Sequence, residues 1–258
     1  MKKFKQVALR AVKLAGQRIL KYYDDLKSSD IHEKERHEPV TKADLEANKI
    51  IIKTIKQAFP DHDLLSEETG EENNPGKYQW VIDPLDGTSN YTIKNPLFCT
   101  ALALVKDQEI LLSVIYAPFI KELYYAEKGQ GTFLNGKKIK VSAVDDLNES
   151  IILIGKSHSS GSKEAFINYQ RKLLGKVLNY KPLGSGSLDL AFVAAGRVAG
   201  CVLLPPEIPL WDTLPGTLMV REAGGVVTDF KGRVNDFGRQ GLVVANKLIY
   251  KQLLDLVK

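Results

Sequence analysis

Asp83-Pro84-Leu85-Asp86-Gly87-Thr88 closes an apolar run, Tyr78 to Ile82, and carries two carboxylates within four residues. Proline fixes one φ and glycine permits an unusual one, so the segment should bend sharply with both acids on one side. The Leu85 carbonyl is free to point the same way. Carboxylate, carbonyl and carboxylate form a hard-oxygen set suited to Mg²⁺ or Mn²⁺. Asp-Pro and Asp-Gly are also ordinary turn dipeptides, and the bland reading is a surface bend. Two distant segments weigh against it. Leu64-Leu65-Ser66-Glu67-Glu68 is an apolar run ending in paired acids, and Leu210-Trp211-Asp212 sets an acid beside a bulky aromatic. Each has its own bland reading, a solvated strand end for Glu67 and a helix N-cap for Asp212. Together, Glu67, Asp83, Asp86 and Asp212 supply about the four carboxylates that a two-cation phosphate site needs around ions ~3.5–4 Å apart.

The flanking pattern says which elements must position these groups. Phe4, Val7, Ala8, Ala11, Ala15, Ile19, Tyr22 and Tyr23 recur at helical spacing, which predicts an amphipathic helix over 3–26. A charged stretch, Lys27 to Glu38, reads as a solvated connection ended by Pro39. Thr41 with Asp44 forms a capping box that opens a second helix, which stops at Phe59-Pro60. From Leu64 to Val141 the texture is that of strands, with β-rich runs at 97–106, 109–117 and 122–126 and a hairpin signal at Asn135-Gly136. Beyond the polar stretch 145–150, strands at 151–155, 198–204, 225–229 and 241–245 alternate with helices near 163–175, 187–195, 212–223 and 247–257. The first half therefore reads as α+β, the second as α/β. The boundary is expected between an N-terminal lobe, 1–145, holding most of the acids, and a C-terminal lobe, 146–258, holding Asp212. Gly224-Gly225 reads as a helix end turning into a strand.

Composition fits an enzyme free in solution. The 258 residues are enough for two core-bearing lobes. No apolar stretch approaches the ~20 residues of a membrane span, and the lysine-rich N-terminus lacks a signal peptide's apolar core. Cys99 and Cys201 both lie in apolar runs and read as small buried residues, so no disulfide framework is expected and a reducing cytoplasm is the expected setting. A net charge of +5 suits anionic substrates, but it is explained as well by a solvated lysine-rich surface. No basic block with interleaved aromatics argues for nucleic-acid binding. His32, His37, His62 and His158 stand in polar stretches without metal-ligand spacing, which argues against zinc.

From Val40-Thr41-Lys42-Ala43-Asp44 through Ser66-Glu67-Glu68, the segment Trp80 to Tyr91, Gly184-Ser185-Gly186 and Trp211-Asp212 to Glu222-Ala223-Gly224-Gly225, the chain resembles the inositol monophosphatase family. That resemblance implies a five-layer αβαβα sandwich and a Mg²⁺-dependent, lithium-sensitive phosphomonoesterase, commonly a homodimer. By the same resemblance, Glu67, Asp83 and the Leu85 carbonyl would hold the cation that carries the nucleophilic water. Asp83, Asp86 and Asp212 would hold the one at the leaving oxygen. Thr88 and Glu67 would orient and deprotonate the water, with Asp44 bonded to Thr88 behind them. Backbone N–H groups of Gly87 and Thr88 would meet phosphate oxygens. The family's flap would place a lysine near the site, and Lys34 is the match.

Departures fall where substrate is chosen. The family's Gly-x-Ala turn is here Gly184-Ser185-Gly186, and the ring-binding glutamate six residues before the tryptophan is replaced by Pro205, with Glu207 two residues on. After Trp-Asp the small-residue run becomes Thr213-Leu214-Pro215-Gly216; proline belongs in a first helical turn, so this helix is expected to start close to Asp212. The substrate implied is inositol 1-phosphate or a related polyol or sugar phosphate. Fructose 1,6-bisphosphate and 3′(2′),5′-bisphosphate nucleotides are the enzymatic alternatives. A regulatory protein acting on RNA polymerase or RNA is the alternative of another class.

Overall fold

The computed structural model describes residues 1–27, 31–33, 39–74, 77–156, 162–205, 208–234, 237 and 240–258. The chain opens with α1 (Lys2–Asp25), β1 (Ile31–Glu33), β2 (Pro39–Thr41), α2 (Lys42–Ala58), β3 (Asp63–Ser66) and β4 (Gly70–Glu72). There follow β5 (Gln79–Asp86), the short α3 (Thr88–Thr92), β6 (Cys99–Lys106), β7 (Glu109–Ala117), β8 (Glu122–Glu127), β9 (Gly131–Leu134) and β10 (Lys137–Ile139). The remainder is β11 (Ile151–Lys156), α4 (Ser162–Leu173), β12 (Asn179–Lys181), α5 (Gly186–Ala194), β13 (Gly200–Leu204), α6 (Leu210–Glu222), β14 (Val226–Thr228), β15 (Leu242–Ala245) and α7 (Tyr250–Val257).

Two sheets result. Eight strands run in the order β10-β9-β8-β7-β6-β5-β3-β4, all antiparallel except the β3/β5 pair. Five run β12-β11-β13-β15-β14, parallel through β12, β11 and β13 and antiparallel beyond. The side-chain alternation of the strands sorts the apolar residues into three cores. Trp80, Ile82, Leu102 and Leu104 pack against Ala8, Ala11, Ile19, Ala47 and Ile51 of α1 and α2. Val81, Ala101 and Ala103 face the other way, joining Leu190, Leu214, Met219, Cys201 and Val244 in a core shared by both sheets through α5 and α6. Val202, Leu204, Val243 and Ala245 pack on the far side with Leu173 of α4 and Leu253 and Val257 of α7. Helix pair, sheet, helix pair, sheet, helix pair: this is the αβαβα sandwich.

Layer position explains helix composition. α1 and α2 bury one stripe each and are amphipathic, as a helix with a wet face must be. α5 and α6 lie between sheets and are buried nearly all round. Their close approach depends on Gly216, because a Cβ there would stand 2.2 Å from the Leu190 Cβ. No helix among the described residues is long and apolar enough to cross a membrane.

Three expectations require correction. The charged stretch 27–38 is not wholly connection: Ile31–Glu33 pairs antiparallel with Pro39–Thr41, a two-strand ribbon too short and too polar to announce itself by alternation. Pro215 lies at the sixth residue of α6, beyond the first turn, since the helix begins at Leu210. It therefore lacks the N–H that would bond the Trp211 carbonyl, and the buried surroundings hold the helix together without it. His62, assigned to a polar stretch, stacks on Phe59 at 4.7 Å between centroids and on Tyr78 at 5.1 Å, with its Nδ1 accepting from Trp80 Nε1 at 3.0 Å. Phe4 of α1 completes this cluster.

Burial, reinforced by Lys3, lowers the His62 pKa from its ordinary value of 6.5, against the opposing pull of Asp61 and Asp63. The neutral ring is the form that can accept from Trp80, whereas the unfolded chain takes up the proton freely. Its contribution to stability is thus present above pH 6.5 and is lost as the pH falls below that value. His62→Gln should flatten the acid-side loss of Tm between about pH 7.5 and about pH 5.5. Equal Tm slopes for variant and parent would remove His62 from the acid response.

Candidate functional site

The geometry starts at an irregularity in β5. Its register with β6 steps three residues, Asp83 to Asp86, while β6 steps two, Ala101 to Cys99. One extra residue in a strand reverses the parity of everything after it. Leu85 accordingly joins Trp80 and Ile82 in the core under α1 and α2. Asp83 and Asp86, three apart in sequence, both turn toward α5 and α6, as their partners on those helices show. Thr100 Oγ1 donates to the Pro84 carbonyl at 2.9 Å and holds the bulge closed. Gly87, at φ +86°, then turns the chain into α3, and a Cβ there would lie 2.9 Å from the Leu97 carbonyl oxygen.

Asp86 is buried at the N-terminus of α5. Its Oδ2 accepts from Ser185 Oγ at 2.8 Å and from the Ser187 N–H at 2.6 Å, while the Cys99 thiol stands 3.8 Å away. Burial raises its pKa, and the Ser185, Ser187 and Gly186 donors resist that rise. Asp83 is only 1% exposed. Burial pushes its pKa well up, helped by the charges of Glu67, Asp86 and Asp212 and by a hydrogen bond with the Glu67 carboxyl. Glu67 reaches it because the parallel β3/β5 ladder continues one step, Glu67 N–H donating to the Ile82 carbonyl at 3.2 Å. Asp212 arrives from the opposite side, in the first turn of α6.

Behind the acids lies a second hydroxyl–carboxylate unit. The expected capping box is present, with Asp44 Oδ2 accepting from the Thr41 N–H at 2.8 Å and Thr41 Oγ1 at 2.6 Å. Its other oxygen is 3.0 Å from Thr88 Oγ1, which also lies 2.9 Å from the Leu85 carbonyl. Burial pushes the Asp44 pKa up to about 6 against the Thr41 and Thr88 hydrogen bonds.

The structure thus brings Glu67, Asp83, Leu85, Asp86, Thr88, Asp44, Asp212 and the 184–186 turn to one place. Glu207 and Lys34 lie outside the described residues. Gly184, at φ +78°, makes the turn, and Ser185 is the N-cap of α5 with its hydroxyl hydrogen on Asp86. Three participants escaped sequence reasoning. Cys99 and Ser187 touch Asp86, and Asn90 Nδ2 ties the Leu97 and Leu183 carbonyls together at 2.7 Å each. Only a strand register could have placed Cys99 beside Asp86. Burial and its acidic neighbours drive the Cys99 pKa well up, so it stays a neutral thiol rather than a nucleophile.

Do these residues fit a divalent cation? Among the described residues no three His, Cys, Asp or Glu side chains already stand as a metal-holding group, since Glu67 bonds Asp83 and Asp86 bonds α5. The composition nevertheless fits. Every donor is a hard oxygen, and the charges acting most strongly on buried Asp83 are other carboxylates. Two acids that hydrogen-bond each other must share a proton, which a divalent cation would displace.

A model of the inositol monophosphatase family matches residues 1–258. The chain belongs to that family. It is 37% identical to a protein of Escherichia coli K12 named Nus factor SuhB, over 96% of this chain and 93% of that protein. It is 34% identical to an inositol-1-monophosphatase of Mesorhizobium japonicum, over 98% and 95%. The Thermotoga maritima IMPase superposes with a TM-score of 0.90 at 30% identity, covering 100% of this chain and 97% of that one. A phosphatase on the family's sandwich is what these likenesses support.

The bend at Gly87 gives a direct test. Gly87→Ala must hold an L-residue at φ +86° and drive its Cβ against the Leu97 carbonyl. The left-handed conformation alone costs roughly 1–2 kcal/mol. The variant should unfold at lower urea and lose most phosphate release; unchanged stability and turnover would show that the bend tolerates a side chain.

Proposed function

We propose that this protein is a Mg²⁺-dependent phosphomonoesterase, with inositol 1-phosphate, or a closely related polyol or sugar phosphate, as substrate. The observation that carries the reading is the convergence of Glu67, Asp83, Asp86 and Asp212 about one buried point. Mn²⁺ has the same ligand preferences and should substitute. Inhibition by Li⁺ and a homodimeric state follow from family membership as expectations. Both cysteines are buried and free, which suits a reducing cytoplasm. The proposed boundary between the two lobes is 145/146.

Glu67, Asp83, the Leu85 carbonyl, Asp86 and Asp212 would hold the metal. Bound there, it would supply hydroxide from water near neutral pH and neutralise charge on the attacking and leaving oxygens. The chain's own residues do the rest. Asp44 takes the Thr88 hydroxyl hydrogen, leaving a Thr88 lone pair to accept a hydrogen bond from the attacking water and fix its orientation, while Glu67 would take the single proton that the water loses. The backbone N–H groups of Gly87 and Thr88 precede the first helical bond of this turn, Tyr91 N–H to the Gly87 carbonyl, and are offered to phosphoryl oxygens. Attack by water needs no phosphoryl-enzyme, in keeping with a neutral thiol at Cys99.

Because the Ser185 hydroxyl hydrogen is on Asp86, the 184–186 turn would meet substrate through its backbone, and ring selection would fall to Glu207. A second reading has a specific support, the relative named Nus factor SuhB. In it, the sandwich also serves transcription through a surface rather than through the acids.

Phosphate release measured with Mg²⁺ across inositol, sugar and nucleotide phosphates separates these readings. Chelation should abolish release, and Mg²⁺ or Mn²⁺ should restore it. Asp86→Asn keeps shape but removes a charge, so turnover should fall by more than about a hundredfold, beyond the effect of losing an outer contact. Circular dichroism should stay unchanged. Release that survives thorough chelation would sink the metal mechanism, and an inactive protein that binds RNA polymerase would favour the second reading. Glu207→Ala should lower kcat/KM for inositol 1-phosphate, by the ~1–3 kcal/mol that an unpaired buried hydroxyl costs, while sparing glycerol 2-phosphate. Equal effects on both substrates would take ring selection away from this segment.

A further inference from the structure

A groove of about 600 Å³ runs along the outer face of α1 and α2, on the far side of the eight-stranded sheet from Asp83 and Asp86. Arg10, Arg18 and Lys21 line it from α1, and Lys53 lines it from α2. Among the described residues none of these four forms a salt bridge. Glu46, whose pKa Lys49 lowers first and Arg18 further, is held by Lys49 at 3.0 Å rather than by the groove cations. Leu14, 38% exposed, and Ile50 supply apolar surface between the cations.

Helical geometry aligns these groups. Arg10, Leu14, Arg18 and Lys21 are spaced by four, four and three residues, one face of α1 about 16 Å long at 1.5 Å per residue. None of the side chains lining the groove is aromatic. Single-stranded nucleic acid takes much of its affinity from stacking on such rings, so the lining favours another polyanion. Cations at both ends with aliphatic surface between them complement an acidic helix that carries one apolar edge.

We infer that the α1–α2 groove is a docking site for an acidic amphipathic segment of a partner protein. The carboxylates of that segment meet Arg10, Arg18, Lys21 and Lys53, and its apolar side chains cover Leu14 and Ile50. The site lies apart from the catalytic acids, so docking and turnover are separable.

The test uses the full chain and a fluorescein-labelled peptide of Glu, Ala and Leu with its leucines on one helical face. A scrambled peptide of the same composition and a single-stranded poly(U) RNA serve as comparators in fluorescence anisotropy. The patterned peptide should bind, and the Arg10→Ala/Arg18→Ala/Lys21→Ala variant should weaken it by at least about tenfold, a loss of ~1.4 kcal/mol. Leu14→Ser should weaken the patterned peptide with charge unchanged. Hydrolysis of glycerol 2-phosphate should be the same in all forms, which also shows that they fold. The inference is overturned if the patterned peptide does not bind, if the scrambled peptide binds as well, if the triple variant binds undiminished, or if poly(U) is the tighter ligand.

Discussion

Everything around the site answers one electrostatic difficulty: several carboxylates are held together out of water. A buried acid is stable only if it is neutralised, hydrogen-bonded or paired with a cation. Asp86 is met by Ser185, Ser187 and the first N–H groups of α5, whose N-terminal partial charge favours an anion. Asp44 is met by Thr41 and Thr88. Asp83 differs: it accepts from the Leu85 N–H at 3.1 Å, but its charged neighbours are acids, and burial together with those charges drives its pKa well up. The central acid is thus left without a positive side chain among the groups that act on it most strongly.

The same difficulty ties the two sheets together. Glu67 follows the end of β3 and Asp83 sits at the bulge of β5 in the larger sheet, while Ser185 and Asp212 stand on the helices that separate it from the smaller one. The acids therefore meet only when the central layer is packed. Gly216 allows α5 and α6 their close approach, and the shared core under Val81, Leu190 and Met219 fixes their distance from β5. The geometry of the acids and the middle of the hydrophobic core are thus one arrangement. A substitution that shifts α5 against α6 moves Asp212 relative to Asp86.

Much of this was legible in the residues, for identifiable reasons. The capping box at Thr41 and Asp44, the hairpin at Asn135-Gly136 and the strand Glu109–Ala117 are local signals, and each stands where the pattern put it. The acids were legible because type and spacing together are improbable by chance. The β-bulge was not, because it is defined against a partner strand and no residue type announces a two-against-one register. Cys99 and Ser187 were hidden for the same reason, being ordinary core residues until the fold sets them against Asp86. His62 was misassigned because its flanks Asp61 and Asp63 are polar, while the rings that enclose it come from 4, 59, 78 and 80.

The bulge also explains why the placement of the acids is local to β5. Parity reversal places Asp83 and Asp86 on one face whatever follows in the chain, provided Thr100 closes the bulge and Gly87 completes the bend. The position of the acids is therefore set by strands and central helices. Between β13 and α6 the chain carries Ile208 into the shared core, so this connection is only partly free of the packing. The outer α1–α2 layer is freer still, since its exposed face contributes neither to the shared core nor to the acids. Change on that outer face would leave the buried carboxylates where they are.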